Sequence, residues 1–98
     1  MTREEISKAF EKFESALDDI REENGYYDYE EFDRLFTEIF GEKCTYCTCT
    51  PDSDTAEIDT FAKDIAESCI SLQNKGYKLV ATVTQYIEDE IITVISFE

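Results

Sequence analysis

The spacing of apolar residues changes along this chain, and that change most constrains how it folds. In three stretches they recur every three or four positions. In the last twenty residues they crowd into two short runs rich in Val, Ile, Thr and Tyr, whose side chains alternate between two faces. The first period is that of an amphipathic helix and the second that of a strand. Ile6, Phe10, Phe13, Leu17 and Ile20, with Ala9 and Ala16, predict a helix from about Arg3 to Glu23. Thr2 and Glu5 have capping-box spacing at its start, and Asn24-Gly25 ends it. Phe32, Leu35, Phe36, Ile39 and Phe40 predict a second helix, opened by Asp28 with Glu31 and stopped by Gly41. Ile58, Phe61, Ala62, Ile65, Ala66, Cys69 and Leu72 predict a third, about Thr55 to Gln73. Asp54 with Glu57 caps it and Gly76 terminates it.

Between the second and third helices, Lys43 to Thr50 is rich in Thr and Cys and bounded by Gly41 and Pro51. It reads as a short strand. Lys78 to Ile87 and Glu90 to Phe97 read as a hairpin turning at Glu88-Asp89-Glu90. The order is α-α-β-α-β-β. The expected fold is α+β in class, with the helices packed on one face of a small, mainly antiparallel three-stranded sheet. At 98 residues the chain forms one domain, residues 1–98.

The apolar fraction of 42%, with 13% aromatic residues, excludes a disordered acidic tail. The net charge of −15 therefore sits on a folded body. Residues 1–40 hold 13 acids against 5 bases, and residues 75–98 hold 4 against 2, so the excess is concentrated early. Such a field repels nucleic acid and anionic membranes and attracts basic surfaces. Solubility alone is the bland reading of this charge. The start, Met1-Thr2-Arg3-Glu4-Glu5, has no apolar leader, and no run reaches the ~18 apolar residues of a membrane span. The expected compartment is the cytoplasm, with the four cysteines as reduced thiols.

Catalytic signatures are lacking. There is no His to titrate near neutral pH, and the serines sit in no nucleophile elbow. Three glycines cannot build a phosphate-cradling loop. Asp52-Ser53-Asp54 resembles the start of a calcium loop but lacks its Gly and closing Glu, so it reads as a helix cap. The expectation is that the protein is not an enzyme and carries no cofactor. The alternative is a zinc site on Cys44, Cys47, Cys49 and Cys69. On a strand, Cys47 and Cys49 share one face about 7 Å apart while Cys44 points the other way, which disfavours it. Cys69 lies on the apolar stripe of its helix.

One acidic–aromatic run remains: Tyr26-Tyr27-Asp28-Tyr29-Glu30-Glu31-Phe32-Asp33. Tyrosine adds rigid contact area and a hydroxyl at small entropic cost, and carboxylates suit Arg and Lys of a partner. The structural alternative is that Tyr26 and Tyr29 staple the helix start to the core. Glu4, Glu11, Glu14, Asp18 and Glu22 form an acidic helix row. Acids at i, i+4 lie about 5–6 Å apart, comparable with the charge spacing along a nucleic-acid strand. The expected partner-binding set is Tyr26, Tyr27, Asp28, Tyr29, Glu30, Glu31, Asp33, Glu14, Asp18 and Glu22.

These features point to an acidic inhibitor that occupies the basic, nucleic-acid-binding surface of a nuclease or similar complex. A phage anti-CRISPR protein of DNA-mimic type or a nuclease immunity protein has this character. The rival expectation is a small homo-oligomeric or scaffold protein. It would dimerise through the hairpin edge, where Ile91, Ile92, Val94 and Ile95 are apolar on both faces.

Overall fold

The computed structural model describes residues 1–98 and contains three helices and three strands in the expected order. They are α1 (Arg3–Asn24), α2 (Tyr29–Phe40), β1 (Cys44–Cys49), α3 (Thr55–Asn74), β2 (Leu79–Ile87) and β3 (Glu90–Phe97). The class is α+β. Each helix starts where its cap was expected. Thr2 Oγ1 accepts from the Glu5 amide at 3.2 Å. Asp28 and Asp54 accept from the amides of Glu31 and Glu57, each at 2.9 Å. Each bond satisfies one of the amides that a helix start leaves without an intrahelical partner. Gly25 ends α1 in the left-handed region, φ 83°, and its N–H reaches the Arg21 carbonyl.

The sheet order is β1-β3-β2, antiparallel throughout. β3 is therefore the central strand, and the expectation of a free edge at Ile91, Ile92, Val94 and Ile95 is corrected. Ile92, Val94 and Ile95 are fully buried. A strand that is apolar on both faces gains most by lying in the middle of a sheet covered on both sides. The free edges are β1 and β2.

That coverage corrects a second detail. β1 and β3 pair Tyr46 with Val94 and Thr48 with Ile92, and these positions face α1 and α2. The Tyr46 ring lies against Phe36 of α2, with centroids 4.0 Å apart. The alternate positions Thr45, Cys47 and Cys49 face α3 instead, where the Cys47 thiol meets Ser68. So α1 and α2 share one face of the sheet and α3 covers the other, rather than all helices lying on one face.

The principal core lies between the α1–α2 pair and the sheet. Phe13 is its centre. It is fully buried and meets Phe32, Phe36 and Phe40 edge-on, at centroid distances of 5.0, 5.6 and 6.1 Å. Edge-to-face rings add to burial because each positive rim meets a neighbour's negative face. In contrast, α3 has no fully buried residue. Phe61, Ile65, Cys69 and Leu72 are half-buried, while Ile58 remains 49% exposed. Its stripe was legible in the sequence, but the sheet covers only part of it.

A helix held this lightly depends on its cap. Asp54→Ala is expected to cost about 1 kcal/mol and to speed amide hydrogen exchange across α3 while α1 stays protected. Exchange that rose equally in both helices would show that α3 opens only with the whole domain.

Candidate protein-binding face

The α1–α2 junction and the tip of the β2–β3 hairpin meet at one end of the molecule. Gly25 turns the chain so that Tyr26, Tyr27 and Tyr29 follow within four residues. A cavity of about 420 Å³ there is lined by Tyr26, Tyr27 and Tyr29 together with Glu88, Asp89 and Arg21. On the other side of Tyr29 a cavity of about 510 Å³ is walled by Phe61, Glu57, Asp64 and Glu90. Tyr29 thus stands between two acidic recesses.

The three tyrosines divide the work differently from the expectation. Tyr27 is the staple: it is half-buried and stacks on Phe32 with centroids 6.2 Å apart. Burial, reinforced by the nearby charge of Glu88, raises its pKa, so its hydroxyl stays protonated. Tyr26 and Tyr29, for which stapling is the alternative to partner binding, are 69% and 77% exposed. Tyr27 packs because it precedes the N-cap on the side of α2 that turns toward α1, as the residue before a cap commonly does.

The acids also separate by role. Asp28 caps α2, and Glu30 is exposed without an ion-pair partner. Glu31 is half-buried, and its Oε2 has no hydrogen-bond partner. Asp33 accepts from the Tyr46 hydroxyl. Burial, that bond and the Asp33 charge push the Tyr46 pKa up to about 12, so Tyr46 remains a donor. Asp18 is joined to Arg21 at 2.9 Å, and Arg21 also binds Glu88 at the hairpin tip. Glu14 and Glu22 are exposed one turn to either side of Asp18 and belong to the row, not to the junction. The junction therefore gathers Tyr26, Tyr27, Asp28, Tyr29 and Glu30, and Asp18 is tied to it through Arg21.

The hairpin tip, Glu88-Asp89-Glu90, which the sequence presents only as a turn, is part of this face. A signal for it exists in the sequence. Two-residue hairpin loops favour Gly, Asn or Asp, and here three consecutive acids occupy the bend. Glu88 takes a positive φ of 54°, an uncommon choice for a non-glycine residue.

Glu90 feels that crowding. Burial raises its pKa, and the Asp33 carboxylate raises it further. A carboxyl group whose folded pKa lies above its unfolded value destabilises the fold when ionised, and the penalty vanishes below the unfolded pKa. Glu90→Gln is therefore expected to raise the melting temperature at pH 7, with the gain shrinking to nothing as pH falls below about 4. A gain independent of pH would assign the effect to packing.

Across the surface, four basic side chains engage five acids: Lys8 with Glu4, Arg21 with Asp18 and Glu88, Arg34 with Glu38, and Lys63 with Glu67. Most of the 24 acids have no cation within 4 Å.

The zinc alternative does not assemble. Cys44 faces the α1–α2 side, with its thiol 3.6 Å from the Met1 sulfur. Cys47 and Cys49 face the other way, Cys47 toward Ser68 and Cys69, and Cys49 toward Ser53 at 3.3 Å. No group of three or more His, Cys, Asp and Glu side chains is placed to hold a metal ion. Strand alternation puts Cys44 on one face of the sheet and Cys47 and Cys49 on the other. No helix is long and apolar enough to cross a membrane.

Compared with known proteins, the chain matches no family model, no curated protein and no solved structure.

Proposed function

We propose that this protein is an acidic inhibitor that occupies the basic, nucleic-acid-binding surface of a partner protein. The observation that supports this most is the grouping of two exposed tyrosines, Tyr26 and Tyr29, with carboxylates that lack cations, Glu30 on α2 and Asp89 and Glu90 at the hairpin tip, at one end of a chain of net charge −15. The carboxylates stand where phosphates would, against Arg and Lys, and the tyrosines supply anchoring area. The mode is competition without chemistry. A DNA-mimic anti-CRISPR protein or a nuclease immunity protein would act this way, in the cytoplasm where such partners work.

The test is capture from host lysate at low salt, salt-gradient elution, and then a nucleic-acid binding assay on the captured protein. The expected result is a nuclease or nucleic-acid-binding complex that releases at moderate salt and loses nucleic-acid binding when this protein is added. A captured protein that binds nucleic acid equally well with and without it would overturn the reading, as would capture of no such protein.

A further inference from the structure

The free edge of β2 has an unusual composition. Strand ends carry Lys78 and Glu88, and the nine residues between them, Leu79 to Ile87, hold no charge at all. In a chain with 34% charged residues this is the kind of edge that monomeric proteins usually interrupt with Lys or Pro.

The hydrogen-bond phase of that edge follows from one pair. Lys78 and Glu98 exchange both backbone bonds, at 3.0 and 2.9 Å. Alternation along β3 then directs Ser96, Val94, Ile92 and Glu90 toward β2, where their partners are Ala81, Val83, Gln85 and Ile87. The backbone groups of Thr82, Thr84 and Tyr86 consequently point outward. The Thr82 carbonyl accepts from Arg3 Nη2 at 3.3 Å, the sole side-chain bond to this edge, and that contact is solvent-exposed.

We propose that β2 pairs antiparallel with β2 of a second copy, about a twofold axis at Val83, making a six-stranded sheet. In this register Thr82 of each copy exchanges backbone bonds with Thr84 of the other, which matches the outward phase. Beyond the register shift, Lys78 of each copy lies across from Ile87 of the other and beside its Glu88, so the two charges that bound the strand come near their opposites twice. The register shift at Leu79/Ala81 places Leu79 on the face of Tyr86. Tyr86 of one copy then covers Leu79 of the other. These are the exposed large apolar residues of the strand, at 60% and 38%. A twofold axis makes every contact occur twice, as an isologous interface requires. This inference stands apart from the function proposed above, although Glu88 borders both surfaces.

Salt separates the two associations. Each copy carries −15, so screening strengthens self-pairing, whereas it weakens binding to a basic partner. Sedimentation equilibrium across protein concentration and salt is the test. The expected species is a dimer of the 11.4 kDa chain, more populated at high salt. Tyr86→Lys changes an exposed side chain that makes no bond in the monomer, and it should abolish the dimer with the fold retained by circular dichroism. Lys78→Glu should weaken dimerisation roughly fivefold. A monomer at millimolar concentration in high salt would overturn the proposal. So would a dimer indifferent to both Tyr86→Lys and Lys78→Glu.

Discussion

Phe13→Ala is expected to remove about 3–5 kcal/mol of stability, the largest effect of any single truncation in this domain. Phe13 is fully buried, and its ring is the common neighbour of three aromatic side chains on α2. Its removal leaves a cavity between α1, α2 and the sheet that those rings cannot fill without leaving their own contacts, Phe36 on Tyr46 and Phe40 on Phe10 among them. Domains of this size have about 5–15 kcal/mol in all, so much of the reserve disappears. Urea denaturation should show a lowered midpoint with an unchanged slope. A loss below about 1 kcal/mol would mean that α1 and α2 repack freely, and that the aromatic cluster is not the core's organising feature. Ile58→Ala on α3 makes the comparison, because Ile58 is half exposed and its truncation should stay within about 0.5 kcal/mol.

Under the proposed function, reversing charge at Glu30 and Asp89 should lower affinity for a basic partner roughly 100-fold at low salt, because like charges would then face each other across the proposed contact. Both residues are exposed, and neither makes an ion pair or a side-chain hydrogen bond, so Glu30→Lys with Asp89→Lys should leave the melting temperature nearly unchanged. Asp28 and Glu31 are poor choices for the same experiment. Asp28 caps α2, and Glu31 is half-buried beneath it, so changing either mixes folding with binding. The salt dependence of binding should flatten in the double variant, since fewer charges contribute to the attraction. Tyr29→Ala should slow nothing at the encounter step but speed dissociation, as expected when an anchoring side chain is lost. Equal affinity of the wild-type and doubly reversed proteins would move the binding face away from this end of the molecule.

Local features of the fold were open to reading from the chain. Capping spacing located three helix starts, because the Thr or Asp side chain and the amide three residues later are near neighbours in any helix. Apolar periods separated helices from strands, because period is a property of one element alone. Alternation told Cys44 from Cys47 and Cys49 for the same reason.

Relations between elements were not open in this way. That β3 lies in the middle follows from covering both of its apolar faces, and no local pattern states which strand of a hairpin takes a third partner. That α3 lies opposite α1 and α2 depends on that same sheet order. Tyr27 is marked out locally, as the residue before the Asp28 cap that packs on Phe32, but which carboxylates Tyr26 and Tyr29 stand beside depends on how α1, α2 and the hairpin tip meet. The hairpin tip joins the acidic face through Arg21, 67 residues away from Glu88 in sequence. The sequence by itself determined the elements, their caps and the sign of the charge, since each is set by neighbours along the chain. Tertiary packing alone decided which tyrosines and carboxylates share a surface, because burial of the sheet's two faces selects one arrangement of elements that are otherwise free to combine.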